Sequence, residues 1–133
     1  MPKYYPRLCA MMFFQFGVYG LWLPIAGRFL TASPATGGLG FTEGESGTIV
    51  GFAAAIGAIC APFIVQFADR RFAAQKFLGL LMIAGGGFKL ITYFQSSFTA
   101  WLVLSIAFTV LFMPCTALCN AISMRQDHFG FKP

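Results

Sequence analysis

The 133 residues are 58% hydrophobic and only 10% charged, with a formal net charge of +5, whereas soluble domains run near about 25% charged. That balance excludes a soluble globular domain, a disordered segment and a disulfide-stapled secreted scaffold. The basic residues are dispersed between long apolar runs and form no patch, which sets nucleic-acid binding aside and leaves an integral membrane protein.

In chain order, the charge-free stretches cover 8–27, 46–68, 77–88 and 90–124. A helix rises about 1.5 Å per residue, so about 20 residues cross the roughly 30 Å hydrocarbon core. The first two runs fit one crossing each. The region 77–123 accommodates two, with a polar break at Gln95-Ser96-Ser97. The spacing therefore predicts an all-α transmembrane fold. One membrane domain covers 1–133, with four helices near 8–30, 46–67, 77–94 and 98–123. Backbone groups in lipid must be bonded internally, which favours helices, and a β-barrel would need alternating strands that these continuous runs do not offer.

Lys and Arg placement sets the expected orientation. Lys3, Arg7, Arg70, Arg71, Lys76, Arg125 and Lys132 fall at one set of helix ends, and Arg28 with Glu43 and Glu45 at the other. Both termini and the loop between the second and third helices are thus expected in the cytoplasm of a multi-pass protein of the cell (inner) membrane. The Gly-, Ser-, Thr- and Pro-rich loop 31–42 is expected to face outward. A signal peptide is the competing reading of the N-terminus, but the apolar run is too long and no clear cleavage site follows.

Several residues inside the spans stand out. Cys9, Cys60, Cys115 and Cys119 have no His or acidic partners at metal spacing and read as small packing residues. Glycines recur in the first three helices, among them Gly17, Gly20, Gly27, Gly51, Gly57, Gly79 and Gly85-Gly86-Gly87, and suit close helix approach. Pro24, Pro62 and Pro114 each remove a backbone hydrogen bond within a span. Gln15 and Asn120 need partners in hydrocarbon. For Gln15, a substrate hydrogen bond and interhelical bonding stand as equal readings; for Asn120, interhelical bonding or helix-end capping is expected. Lys89 is the one charge within a span, about six residues from its outer end, and is expected to lift its ammonium to that interface, with an intramembrane functional role as the alternative. No Asp or Glu lies deep in any span.

Three stretches resemble one family. Met11-Met12-Phe13-Phe14-Gln15-Phe16 followed by Gly20-Leu21-Trp22 looks like the first helix of the nucleoside:proton symporter family, a branch of the major facilitator superfamily. Ala68-Asp69-Arg70-Arg71-Phe72-Ala73-Ala74-Gln75-Lys76 looks like its loop between helices two and three. Met113-Pro114-Cys115-Thr116-Ala117-Leu118-Cys119-Asn120 resembles its fourth helix. The superfamily's loop pattern has glycines where this chain has Val65 and Phe72, and keeps only Asp69 and Arg70; that departure itself looks like the nucleoside branch.

The resemblance implies a twelve-helix transporter of two bundles with its substrate near the midplane. This chain matches the first four helices and is expected to be an N-terminal fragment or truncated product. Gln15 and Trp22 become candidate substrate contacts, Trp22 having also a plain reading as an interfacial or packing aromatic. Asp69, beside Arg70 and within reach of Arg125, becomes a candidate cytoplasmic gate. The expected function is uptake of a small polar solute, most readily a nucleoside, coupled to protons by alternating access. The expected partners are that solute, protons, the lipid bilayer and the remaining helices of a full-length transporter. The chain carries no phosphate loop, metal cluster or nucleophile–base pair, so neither a cofactor nor a covalent step is expected. Two rivals are a self-contained four-helix oligomeric transporter, which would be expected to carry a membrane-embedded acid, and a non-transporting assembly subunit.

Overall fold

The computed structural model describes residues 5–71 and 73–130, apart from the side chains of Tyr5, Asp69, Arg71 and 125–130. Four α-helices follow one another: α1 (Tyr5–Thr31), α2 (Glu43–Arg71), α3 (Ala74–Tyr93) and α4 (Phe98–Gly130), with one turn of 3-10 helix at Pro34–Thr36. All four are long and apolar enough to cross a membrane. The chain is a multi-pass membrane protein, as its apolar runs require.

The helices outrun the apolar runs that predicted them. α4 has 33 residues and α2 has 29, because a charge marks where the membrane ends and not where backbone hydrogen bonding stops. The early start of α2 has a local cause. Thr42 precedes the helix and Glu45 lies three residues on. The Thr42 backbone N–H and hydroxyl each donate to Glu45 Oε2 at 2.9 Å, and the Glu45 N–H donates to Thr42 Oγ1 at 3.3 Å. This reciprocal cap satisfies otherwise orphaned donors and moves the boundary from Ser46 to Glu43.

The connection between α1 and α2 is folded back on the helix it leaves. The N–H groups of Leu39 and Phe41 donate to the carbonyls of Phe29 and Leu30. Gly37, at φ +83°, ends the 3-10 turn in a conformation that favours glycine.

α4 is the most buried helix and α1 the least. α2 and α3 both lie along α4, whereas α1 touches α4 and α2 sparingly and is no backbone neighbour of α3 among the described residues. Two clusters hold the bundle, one near each end. Leu78, Leu81, Cys115, Leu118 and Cys119 form one, with Met11, Met12 and Ile64 against it. Leu30, Ile49 and Trp101 form the other, with Trp22, Phe29, Phe41 and Phe98 against it. Cys115 and Cys119 are thus packing residues, as expected.

Of the glycines expected to bring helices together, Gly57 does so most closely. A Cβ there would lie 2.9 Å from both the Cβ and the carbonyl oxygen of Thr109 on α4. One turn away, Thr109 Oγ1 donates to the Ala53 carbonyl at 2.7 Å. A bare backbone at Gly57 therefore permits an interhelical hydrogen bond where lipid supplies no hydrophobic drive. Gly17, Gly20, Gly27, Gly51, Gly79, Gly86 and Gly87 have no such neighbour within 4 Å among the described residues. They lie on helix faces that these four helices leave uncovered.

Candidate functional site

The seam between α1 and α4 carries the candidate site. On α1, Gln15, Tyr19, Trp22 and Ala26 recur every three or four residues and so share one face. Thr116, Phe112 and Trp101 answer them on α4. The Tyr19 and Phe112 rings stack at 5.7 Å, and the Trp22 and Trp101 rings lie parallel within 7° at 6.4 Å.

Gln15 is 1% exposed. Its Nε2 donates to Thr116 Oγ1 at 3.3 Å, while its Oε1 is buried with no hydrogen-bond partner among the described residues. The side chain thus bonds between helices and keeps an acceptor to spare, so each of its two sequence readings has an atom behind it. An unpaired buried carbonyl costs about 1–3 kcal/mol, so a partner for Oε1 is of real energetic value. Ser123 Oγ, seven residues beyond Thr116 on α4, is likewise buried without a partner.

Lys89 differs from the expectation that it lifts its ammonium to the interface. Its Nζ turns inward and stands 3.8 Å from the centre of the Trp22 ring, 4.6 Å from Phe108 and 5.9 Å from Trp101. The reason is steric opportunity. α1 and α3 stand apart, and the lysine stem fills that gap and delivers its head to ring faces, whose quadrupoles attract a cation. Trp101 is held in place by its own N–H, which donates to the Gln95 carbonyl at 2.7 Å. The box of Trp22, Trp101 and Phe108 escaped the sequence reading. Its signal was the seven-residue spacing of Trp101 and Phe108, which puts both rings on one face of α4.

The remaining candidates are not brought to this seam. Asn120 is exposed on α4 and makes no side-chain hydrogen bond among the described residues, so the expected interhelical or capping partner is not found there. Arg70 is exposed near the end of α2. The side chains of Asp69 and Arg125 lie outside the described residues, and so does any contact between them.

Beneath the rings is a small cavity of about 40 Å³, bordered by Tyr19, Trp22, Lys89, Ser105 and Thr109. It is the size of a water molecule, far below the roughly 300–1,000 Å³ of small-molecule sites. Two larger crevices of about 390 and 280 Å³ open between α1 and α3, both bordered by Trp22, Gly86 and Lys89. Along this seam the described residues therefore offer polar groups and aromatic faces beside open crevices.

Compared with known proteins, residues 3–128 match the family model described as Nucleoside H+ symporter. The chain belongs to that family. It is 36% identical over 124 residues to "Putative nucleoside transporter YegT" of Escherichia coli (strain K12), a match covering 90% of this chain and 27% of that protein. The chain thus spans about a quarter of the length of the curated relative it matches. No solved structure matches it. The match runs through all four helices and includes Gln15, Trp22 and Lys89.

Proposed function

We propose that this chain forms the first four helices of a proton-coupled nucleoside transporter of the inner membrane, built on the major facilitator plan of two bundles and working by alternating access. The family match along residues 3–128 carries this reading. The short span of the match on its relative supports the view that further helices complete the molecule. In this reading the chemistry is binding and conformational exchange with no covalent step. The exposed Arg7, Arg70 and Lys76 support a cytoplasmic position for both termini and the α2–α3 turn, with the 31–42 loop outside.

Gln15 is the proposed substrate contact within this chain, because its buried Oε1 has an unused acceptor. Trp22 is proposed beside it, its ring already facing Lys89 and Trp101. Asp69, Arg70 and Arg125 are proposed as the cytoplasmic gate, through pairing of the carboxylate with a neighbouring cation.

The test is uptake of labelled uridine by cells carrying the complete transporter, with and without an uncoupler. Uptake abolished by the uncoupler is expected. Gln15→Leu is expected to reduce uptake at least tenfold with membrane insertion unchanged, the loss of about one charge-free hydrogen bond in an apolar site. Asp69→Asn is expected to slow transport without abolishing binding. Uridine uptake that the uncoupler leaves intact would remove proton coupling. No uptake of any nucleoside, with normal insertion, would favour the assembly-subunit reading.

A further inference from the structure

Lys89 is a charge without a counter-charge. Among the described residues its ammonium meets ring faces and neither a carboxylate nor a hydrogen-bond acceptor. Ring faces offset part of the lost hydration but leave three N–H donors unmatched. Among the described residues, those that face it from the surrounding helices include no carboxylate. α1 adds the phenol of Tyr19 at the cavity and α3 that of Tyr93 at a crevice, and α4 adds the hydroxyls of Ser105 and Thr109. The residues of α2 at the cavity, Ile49, Val50, Ala53 and Ala54, carry no ionisable group.

One wall of this environment is also missing. The two crevices that border Lys89 run between α1 and α3, are apolar, and share Gly86, where a Cβ would meet nothing within 4 Å. A bare backbone on an open apolar groove admits close approach by another helix.

We propose that the α1–α3 crevice seats a further membrane-spanning helix, from outside these 133 residues, that brings an Asp or Glu to the depth of Lys89. The inference rests on the reading that this chain is part of a larger transporter. Charge complementarity names the occupant. Apolar walls suit an apolar helix, and one lone ammonium in low dielectric calls for one carboxylate. A second copy of this chain does not meet that need, because its acids are Glu43, Glu45, Asp69 and Asp127, all in the first or last turn of a helix. The relative is long enough to supply the helix, since the match occupies 27% of it.

The experiment compares the melting temperature of the complete native product with that of its Lys89→Met variant, extracted from membranes at pH 7.5 and at pH 5. Removing the cation strands a buried carboxylate, which is destabilising while it is charged and is relieved once it takes up a proton. The expected result is a fall in Tm on the order of 5 °C or more at pH 7.5 that shrinks by at least half at pH 5. If the variant cannot be extracted folded at pH 7.5, recovery at pH 5 is expected, and failure at both would overturn the proposal. An unchanged or raised Tm at both pH values would overturn it too, because removing a truly unpaired charge relieves strain. A fall that ignores pH would point to an anionic lipid phosphate, which stays charged at pH 5, and would also overturn it. A fall of the same size at pH 7.5 from Glu43→Gln alone would make a second copy the occupant and overturn the proposal. Stability is read without transport, so absent uptake in the unmodified protein would sink the transport reading and leave this test standing.

Discussion

At one end of the α1–α4 seam, Gln15 sets a neutral amide against the Thr116 hydroxyl, beside a cluster of leucine, methionine and cysteine. At the other, Lys89 sets a full charge against the faces of Trp22, Phe108 and Trp101. The two ends differ because their polar groups differ. One hydroxyl is enough to engage a neutral amide, and soft, adaptable side chains then fill the space around it. A cation away from water needs several polarisable surfaces, so large rings concentrate at its end of the bundle. Each end leaves something unmet: an acceptor on Gln15 and three donors on Lys89. Among the described residues of these four helices neither deficit is met.

The comparison predicts unequal sensitivity. The aromatic end should be the more fragile. Trp101→Ala removes a buried wall of the box together with its hydrogen bond to Gln95, and should lower stability by about 3–5 kcal/mol. Thermal melting of the detergent-extracted protein would show it, and a loss below about 1 kcal/mol would mean that the rings are peripheral. Between the ends, Gly57→Leu forces α2 from α4 against the Thr109 backbone. A loss of about 1–3 kcal/mol is expected, with the Thr109–Ala53 hydrogen bond lost as well; an unchanged melting curve would mean that the two helices are not held at that point. The amide end should be the most tolerant. A double-mutant cycle of Gln15→Leu and Thr116→Val should return a coupling of only about 0.6 kcal/mol, whatever the effect of Gln15→Leu on uptake. Coupling as large as the Trp101→Ala effect would erase the distinction between the two ends.

Much of the fold was legible from hydrophobic runs alone. Apolar stretches separated by charges, with one uncharged polar break at Gln95-Ser96-Ser97, permit four helices and little else in lipid. Their true ends were less legible, because helical hydrogen bonding continues through polar residues. The Thr42–Glu45 cap is an instance where a local signal was present in the sequence and set the boundary of α2. The glycines show the limit of such signals. Gly57 and Gly86 look alike in the chain, but one meets Thr109 and the other faces an open crevice.

The sequence by itself determined the membrane class and the number of helices, because the cost of placing backbone polar groups in hydrocarbon leaves few alternatives. Only the tertiary structure decided where Lys89 points. A lysine stem is long enough either to reach the interface or to turn inward. The gap between α1 and α3, and the rings that α1 and α4 place beside it, chose the second. Those rings come from positions as far apart as Trp22 and Phe108, so their meeting depends on how the helices pack and not on any local pattern.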